Sequence, residues 1–207
     1  MTGGPVRDPG VRLGCYPGSF NPPTVAHLAV AEAARDAANL DRVDWVVSRR
    51  ALGKEALVVP SIEDRLGLLR EVASSRPWLG VVVSDLRLIA DLAAGYDAVV
   101  MGADKWRQVN DPAWYDHDPE QRDAALAGLP LVLVAPRAGD AIIELDGHPL
   151  PAGVERLSVG EDHRPVNATA IRAGDPAAQG WLLPEAAAFD ARTRAWSDPD
   201  RYRPELL

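Results

Sequence analysis

Apolar residues fall into short runs along the chain, and Val and Leu dominate these runs without alternating cleanly with polar residues. Such runs are typical of strands that are covered by helices on both faces of a parallel sheet. The pattern predicts strands over residues 11–16, 43–48, 79–84, 97–101 and 129–135. Segments with helical periodicity lie between them, so the order of elements indicates an α/β protein.

The two clearest helical patterns lie early in the chain. Residues 24–39 are rich in Ala and space their apolar positions as a helix does. Residues 61–74 begin with Ser61 and Asp64, a pair that resembles a capping box. A loop is predicted over residues 110–122, and short strand-like pieces are predicted over residues 141–157. Two late helices are predicted, one after residue 166 and one over residues 184–196.

This alternation predicts a doubly wound, Rossmann-like parallel sheet with helices on both faces and a small C-terminal helical part. We expect a flexible lead-in over residues 1–10, one domain over residues 11–196 and an irregular tail over residues 197–207. The late helical part of the domain is expected from about residue 166. Ligands of such sheets bind at the carboxyl ends of the strands, so we expect the site there.

Composition narrows the classes of function. The formal net charge of −8 argues against a general nucleic-acid binder, which needs a basic surface. No apolar run approaches 18 residues, so neither a membrane-spanning helix nor a membrane partner is predicted. The single cysteine, Cys15, suits a reducing cytoplasm, and the first ten residues lack the apolar core of a secretion signal. The sequence indicates no particular oligomeric state.

The segment that follows the first predicted strand has the chemistry of a phosphate site. Gly18 permits the backbone to pass close to a ligand, and Pro22 and Pro23 favour a helix start. Thr24 can cap that helix, and His27 lies one turn into it. A helix N-terminus offers unpaired N–H groups and partial positive charge, which suit a phosphate. The same turn also starts many helices that bind no ligand.

The sequence GSFNP at residues 18–22, followed by TVAH at residues 24–27, resembles the HxGH or TxGH signature of the nucleotidylyltransferase superfamily. The likeness is greatest to nicotinamide and nicotinate mononucleotide adenylyltransferases, which begin with GSFNP or GTFDP after the first strand. It implies that Gly18, Ser19, Phe20, Asn21 and His27 bind ATP. Ala26 departs from the common Gly of the signature.

A second motif lies about 140 residues further on. VNATAIR at residues 166–172 resembles the family's ISSTxIR, with Asn167 and Ala168 in place of the two serines. The resemblance implies that Asn167, Thr169 and Arg172 bind ATP. An amide and a hydroxyl can offer hydrogen bonds at a helix start, and an Arg can pair with a polyphosphate.

Segments between the two motifs also resemble the family. MGADKW at residues 101–106 is similar to its fourth-strand ending, which implies that Gly102 and Asp104 contact ATP. Trp106, or alternatively Trp114, offers a flat face for stacking on a pyridine ring. The resemblance further implies acceptor contacts from a Lys after the second strand, an Arg in the second helix and an Arg after the fifth strand: Lys54, Arg65 and Arg137.

The resemblance implies adenylyl transfer from ATP to the phosphate of nicotinate or nicotinamide mononucleotide, with release of pyrophosphate, in NAD biosynthesis. Catalysis would be positioning and charge stabilisation by His27, Thr24 and Arg172, because an ionised phosphate needs no general base. Mg²⁺ would accompany ATP and keep several waters. His117, His148 and His163 have no ligand-like spacing and are assigned no role.

The acceptor is less closely specified than the donor. Relatives carry a Ser-Tyr-Thr-x-Asp-Thr-Leu segment before the fourth strand, whereas this chain has SDLRLIADL at residues 84–92. Two alternatives therefore stay open: another acceptor, such as phosphopantetheine or a choline-phosphate-like compound with CTP, and a nucleotide-binding relative without catalysis. The small-molecule partners expected are ATP and a phosphate-bearing acceptor.

Overall fold

A computed structural model describes residues 5, 8–49, 59–136 and 150–205. In these residues six parallel strands form one sheet in the order β3-β2-β1-β4-β5-β6. The strands are β1 Leu13–Pro17, β2 Arg42–Ser48, β3 Leu79–Ser84, β4 Ala98–Gly102, β5 Leu131–Ala135 and β6 Val154–Arg156. The five strands predicted from apolar runs are present, and β6 lies within the segment predicted to hold short strand-like pieces.

The helices lie on both faces of the sheet, which confirms the predicted Rossmann-like α/β class. They are α1 Val25–Ala38, α2 Ile62–Ser74, α3 Ile89–Ala93, α4 Ala103–Asn110, α5 Pro119–Ala127, α6 Ala168–Arg172 and α7 Pro184–Thr193. Alternate strand residues enter different cores: Val99 and Met101 pack toward α3 and α4, whereas Ala98 and Val100 pack toward α1. Burial on both faces explains why the strands lack a polar alternation.

The prediction of a loop over residues 110–122 is wrong. The chain there forms a 3₁₀ turn, Pro112–Tyr115, and then begins α5. Asp111 accepts a hydrogen bond from the Ala113 amide at 3.0 Å, and Asp118 accepts one from the Glu120 amide at 2.9 Å. Asp followed by Pro is a helix-start signal as well as a turn signal, since Pro is favoured in the first helical turn.

The chain after α7 packs back onto the domain. Residues 194–205, which we call the C-terminal strap, include a 3₁₀ turn, Pro199–Arg201. The Tyr202 hydroxyl donates to the Asp64 carboxylate in α2, and the Glu205 amide donates to the same carboxylate at 2.9 Å. Burial and the hydrogen bond to Asp64 raise the pKa of Tyr202. The strap is thereby fixed to the start of α2.

A buried ionic cluster lies inside the α3 and α4 face. The fully buried carboxylate of Asp44 accepts hydrogen bonds from Arg42 at 2.8 Å and from the Tyr96 hydroxyl at 3.1 Å. Gly80 is its register partner on β3. Burial, and secondarily the Asp44 charge, raise the pKa of the nearby Cys15 thiol, which holds this thiol in its protonated form. The described helices include none with the length and apolar character needed to cross a bilayer.

Candidate nucleotide-binding site

A cavity of about 360 Å³ opens at the carboxyl ends of the strands. It lies where β1 and β4 are neighbours and their connections leave in opposite directions, which is the switch point of the sheet. The segment after β1, the ends of β2 and β4, and the start of α6 all contribute to its walls. The cavity is therefore at the position where doubly wound sheets bind their ligands.

The loop after β1 forms the floor of the cavity. Gly18 lies on the wall and donates its amide to the Val46 carbonyl at 3.1 Å. A Cβ at Gly18 would come within 2.8 Å of the Phe20 ring. Phe20 has φ of 45° and is buried, with its ring stacked on Trp45 at a centroid distance of 4.7 Å. The Phe20 side chain thus anchors the loop from below and does not line the cavity.

The N-terminus of α1 supplies two of the predicted catalytic residues. Thr24 caps the helix, and its amide donates to Nδ1 of His27 at 3.0 Å, which completes a capping box. Because a backbone N–H can only donate, Nδ1 accepts, and the neutral imidazole carries its hydrogen on Nε2. Both residues line the cavity, as does Ala26, where the family signature has Gly. Nδ1 of His27 therefore takes part in capping α1, and Nε2 carries an N–H donor.

The second motif folds against the first. Asn167 caps α6 by accepting from the Ala170 amide at 2.8 Å. Arg172 donates to the backbone carbonyl of Asn21 and, at 3.1 Å, to the Thr169 hydroxyl. Asn167, Thr169 and Arg172 line the cavity, and burial lowers the pKa of Arg172. Residues about 150 positions apart in sequence are thus joined directly at one wall.

The end of β4 and the start of α4 carry further residues on the wall. Gly102 caps α4 with its backbone, and Asp104 and Lys105 follow in the first turn. Burial lowers the pKa of Lys105, while the adjacent Asp104 carboxylate acts in the opposite direction. Lys105, which sequence reasoning did not select, reaches the cavity because α4 starts as soon as β4 ends.

On the β3 side, the cavity extends into what we call the β3 arm, lined by Ser48, Arg87, Leu88, Ile89 and Trp114. The loop that carries Arg87 is held by the Ser48 hydroxyl, which donates to the Leu86 carbonyl at 2.6 Å. Burial raises the pKa of Tyr115, the positive charge of Arg122 lowers it, and the negative charge of Asp91 in α3 raises it. The effect of Asp91 indicates that the 3₁₀ turn Pro112–Tyr115 lies beside α3. Trp106 packs into the α3 and α4 core instead, and Trp114 is the indole on the wall.

On the other side, the cavity extends into the α6 arm, lined by Ala135, Val159, His163 and Val166. His163 was assigned no role from the sequence. The chain places it on the wall because the segment after β6 returns across the carboxyl end of the sheet. No local sequence pattern predicts that His163 lines the cavity, because its position depends on long-range packing.

The predicted acceptor contacts have different outcomes. Arg65 is buried beneath the loop and donates to the Ser19 carbonyl at 3.4 Å, so it supports the floor from below. Burial lowers the pKa of its guanidinium. Lys54 and Arg137 lie outside the described residues. Asn21 is fully buried, and its side-chain amide donates to the Val59 carbonyl at 2.9 Å, so its polar contacts are internal to the protein.

Charge at the cavity differs from charge over the whole chain. Among the described residues that line it, Arg87, Lys105 and Arg172 are cations, and Asp104 is the carboxylate. A local excess of positive charge beside two helix N-termini suits a polyanionic ligand even in a protein of net charge −8. Within the described ranges, no cluster of three or more His, Cys, Asp or Glu forms a metal cage.

Together, the switch-point cavity, the capped loop after β1 and the basic wall from α6 define a nucleotide-binding α/β protein. The sequence matches the cytidylyltransferase-like family model over residues 15–142. The chain belongs to this family, which confirms the resemblance found in its motifs.

Two curated relatives and one solved structure illustrate the similarity. A probable nicotinate-nucleotide adenylyltransferase of Salinibacter ruber is 31% identical over 105 residues, covering 44% of this chain and 54% of that protein. A phosphopantetheine adenylyltransferase of Desulforamulus reducens is 33% identical over 93 residues, covering 44% of this chain and 55% of that protein. The chain thus spans only about half the length of either relative.

The solved structure is Plasmodium falciparum nicotinic acid mononucleotide adenylyltransferase complexed with APC. It superimposes with a TM-score of 0.61 at 13% identity, covering 90% of this chain and 98% of that one. At this identity the likeness concerns the fold alone. It confirms the Rossmann-like class for nearly the whole chain.

Proposed function

We propose that this protein is an adenylyltransferase that transfers the AMP group of ATP to the phosphate of a pyridine mononucleotide. The observation that carries the proposal is the union of the two motifs in one wall, where Arg172 binds the carbonyl of Asn21 beside the capped start of α1. In the reaction, an acceptor phosphate oxygen attacks the α-phosphorus of ATP in line. A new P–O bond forms, the bond to the bridging oxygen of the β-phosphate breaks, and pyrophosphate leaves.

The donor side of the proposal rests on the floor and the α6 wall. The triphosphate would lie over the loop, where Nε2 of His27 and the guanidinium of Arg172 donate to its oxygens. Donors held in fixed positions stabilise the charge that builds up on the leaving pyrophosphate without having to reorganise. The adenosine would extend into the α6 arm, whose Val159 and Val166 offer apolar contact.

The acceptor would occupy the β3 arm. Trp114 offers an indole face to a pyridine ring, and Arg87 brings a cation to the same arm. A guanidinium pairs with a carboxylate and gains nothing comparable from an amide. Arg87 therefore favours nicotinate mononucleotide over nicotinamide mononucleotide, and it lies in the segment, residues 84–92, that departs from the family's usual sequence.

Mg²⁺ fits the proposed site as an ion carried by the triphosphate. Mg²⁺ usually keeps several waters and takes only one or two carboxylates with substrate phosphates, so a protein cage is not required. Asp104 is the carboxylate on the described wall that would supply one oxygen. The ion would neutralise phosphate charge when bound. The protein groups alone would orient the two nucleotides.

The decisive assay measures pyrophosphate release from ATP or CTP with a panel of acceptors: nicotinate mononucleotide, nicotinamide mononucleotide, phosphopantetheine and phosphocholine. We expect turnover with ATP and nicotinate mononucleotide above every other pair. Turnover with phosphopantetheine or phosphocholine instead would establish the alternative acceptor class. ATP binding without turnover on any acceptor would leave a non-catalytic nucleotide-binding protein.

A second measurement tests the acceptor arm. We expect Arg87→Gln to lower kcat/KM for nicotinate mononucleotide by roughly tenfold to a hundredfold, because a charge-assisted hydrogen bond is lost. The kcat/KM for the amide analogue should hardly change. Arg49→Gln is the matched control, because Arg49 is an exposed cation near the end of β2 that does not line the cavity and lies 3.9 Å from Asp85. Equal losses for both acceptors would show that Arg87 does not recognise the carboxylate.

A further inference from the structure

We infer that Trp196, in the C-terminal strap, is a positioning residue that holds the phosphate loop in its ATP-binding form. The indole Nε1 donates to Oδ1 of Asn21 at 2.6 Å, and both residues are buried. The two lie 175 positions apart in sequence. This inference rests on the proposed function, because it assigns the loop to the triphosphate. Asn21 belongs to the first motif, whereas Trp196 lies outside both motifs.

Asn21 links the strap to the cavity wall. Its side chain is fixed at both ends, by the Trp196 indole at Oδ1 and by the Val59 carbonyl, which accepts from Nδ2 at 2.9 Å. Its backbone carbonyl accepts from Arg172. Fixing the side chain therefore fixes the orientation of the carbonyl, and the carbonyl orients the Arg172 guanidinium, which lines the cavity. Trp196 acts on the cavity through this chain of contacts without lining the cavity itself.

The turn after α7 places Trp196 independently of any ligand. Arg194 ends α7 with φ of 61°, and its amide donates to the Asp190 carbonyl at 2.7 Å. The Asp190 carboxylate then accepts from the Trp196 amide at 2.7 Å and from the Ser197 amide at 3.1 Å. Phe189 packs against the indole at a centroid distance of 5.6 Å. The indole is thus pre-positioned, as an orienting group must be.

The test compares ATP and acceptor kinetics for Trp196→Phe. We expect the KM and Kd for ATP to rise on the order of tenfold, because a small misplacement of aligned groups is costly. The KM for the acceptor should stay unchanged, because no residue of the strap is among the described residues that line the cavity. Phe189→Leu is the control, since it disturbs the same packing without touching the Asn21 hydrogen bond. A similar rise in the ATP constants for Phe189→Leu would overturn the inference, because packing alone would then explain the effect.

Two further variants isolate the hydrogen bond. Trp196→benzothienylalanine replaces the N–H with sulfur at nearly constant volume, so it remains informative even if the Phe variant folds poorly. In an Arg172→Ala background, either change at position 196 should add less than twofold to the Kd for ATP, because the contact through which it acts is gone. An unchanged Kd in the benzothienylalanine variant, or full additivity with Arg172→Ala, would refute the positioning role. If the wild-type chain itself failed to bind ATP, the proposed function would fail first.

Discussion

His27→Gln is expected to reduce kcat by about 10²–10³-fold while leaving the fold intact, which is the loss typical of removing one pre-positioned donor to a developing negative charge. Glutamine is chosen because the imidazole also completes the capping box with Thr24 through Nδ1. Glutamine at the third helical position can keep that box. Single-turnover kinetics on the variant, alongside its thermal unfolding, separate the loss of chemistry from any loss of stability.

His27→Ala provides the comparison. It should show the same loss of turnover and, in addition, a decrease of about 0.5–2 kcal/mol in the free energy of unfolding, because the box is broken. If the Gln variant keeps full turnover, the imidazole serves only to cap α1. In that case the proposed chemistry at the leaving pyrophosphate would have to be assigned to other groups on the wall.

Gly80→Ala should cause the largest loss of stability, on the order of 3 kcal/mol in the free energy of unfolding. A Cβ at this position would lie 1.9 Å from Oδ1 of Asp44 and 3.3 Å from Nε of Arg42. Either the strands separate, or the buried carboxylate moves away from Arg42 and Tyr96. Chemical denaturation of the purified variant measures the loss. Gly180→Ala is the control, because a Cβ there meets nothing within 4 Å.

A double-mutant cycle identifies the cause of this loss. Asp44→Ala should itself be destabilising, because the Tyr96 hydroxyl and the Arg42 guanidinium lose their buried partner. In that background Gly80→Ala should cost less than about 1 kcal/mol, since the clashing oxygen is absent. An equal cost in both backgrounds would mean that backbone conformation, and not the carboxylate, makes glycine necessary at this position.

Much of the fold could be predicted because its signals are local. Apolar runs marked β1 to β5, and periodicity with caps at Thr24 and Ser61 marked α1 and α2 within a residue or so. Helices α3 and α4 were missed for an equally local reason, because five and eight residues are too few for a periodic pattern. Strand β6, with three residues, was indicated only as part of the segment 141–157. Their existence depends on packing against the sheet.

The candidate site was predictable only in its centre. The two motifs indicated the floor and the α6 wall, because capping residues and phosphate-binding types occur there in sequence order. Arg87, Lys105 and His163 reach the cavity from three separate connections, and no spacing in the sequence relates them to one another. Phe20 and Arg65 were predicted to bind ligands but are buried beneath the loop that follows β1. A position in or near a motif therefore does not show whether a side chain points into the cavity or into the core.

The cavity wall combines segments that are far apart in sequence, with residues 18–27 on one part and residues 163–172 on another. Strands β1 to β5 leave the ribosome before the second part is made, so the sheet can begin to form while the wall is still incomplete. A nucleotide then meets only part of the cavity wall until α6 and the strap have packed against the sheet domain. Ligand affinity in this protein is therefore a property of the finished chain, and nucleotide would stabilise the completed fold without guiding the earlier steps of folding.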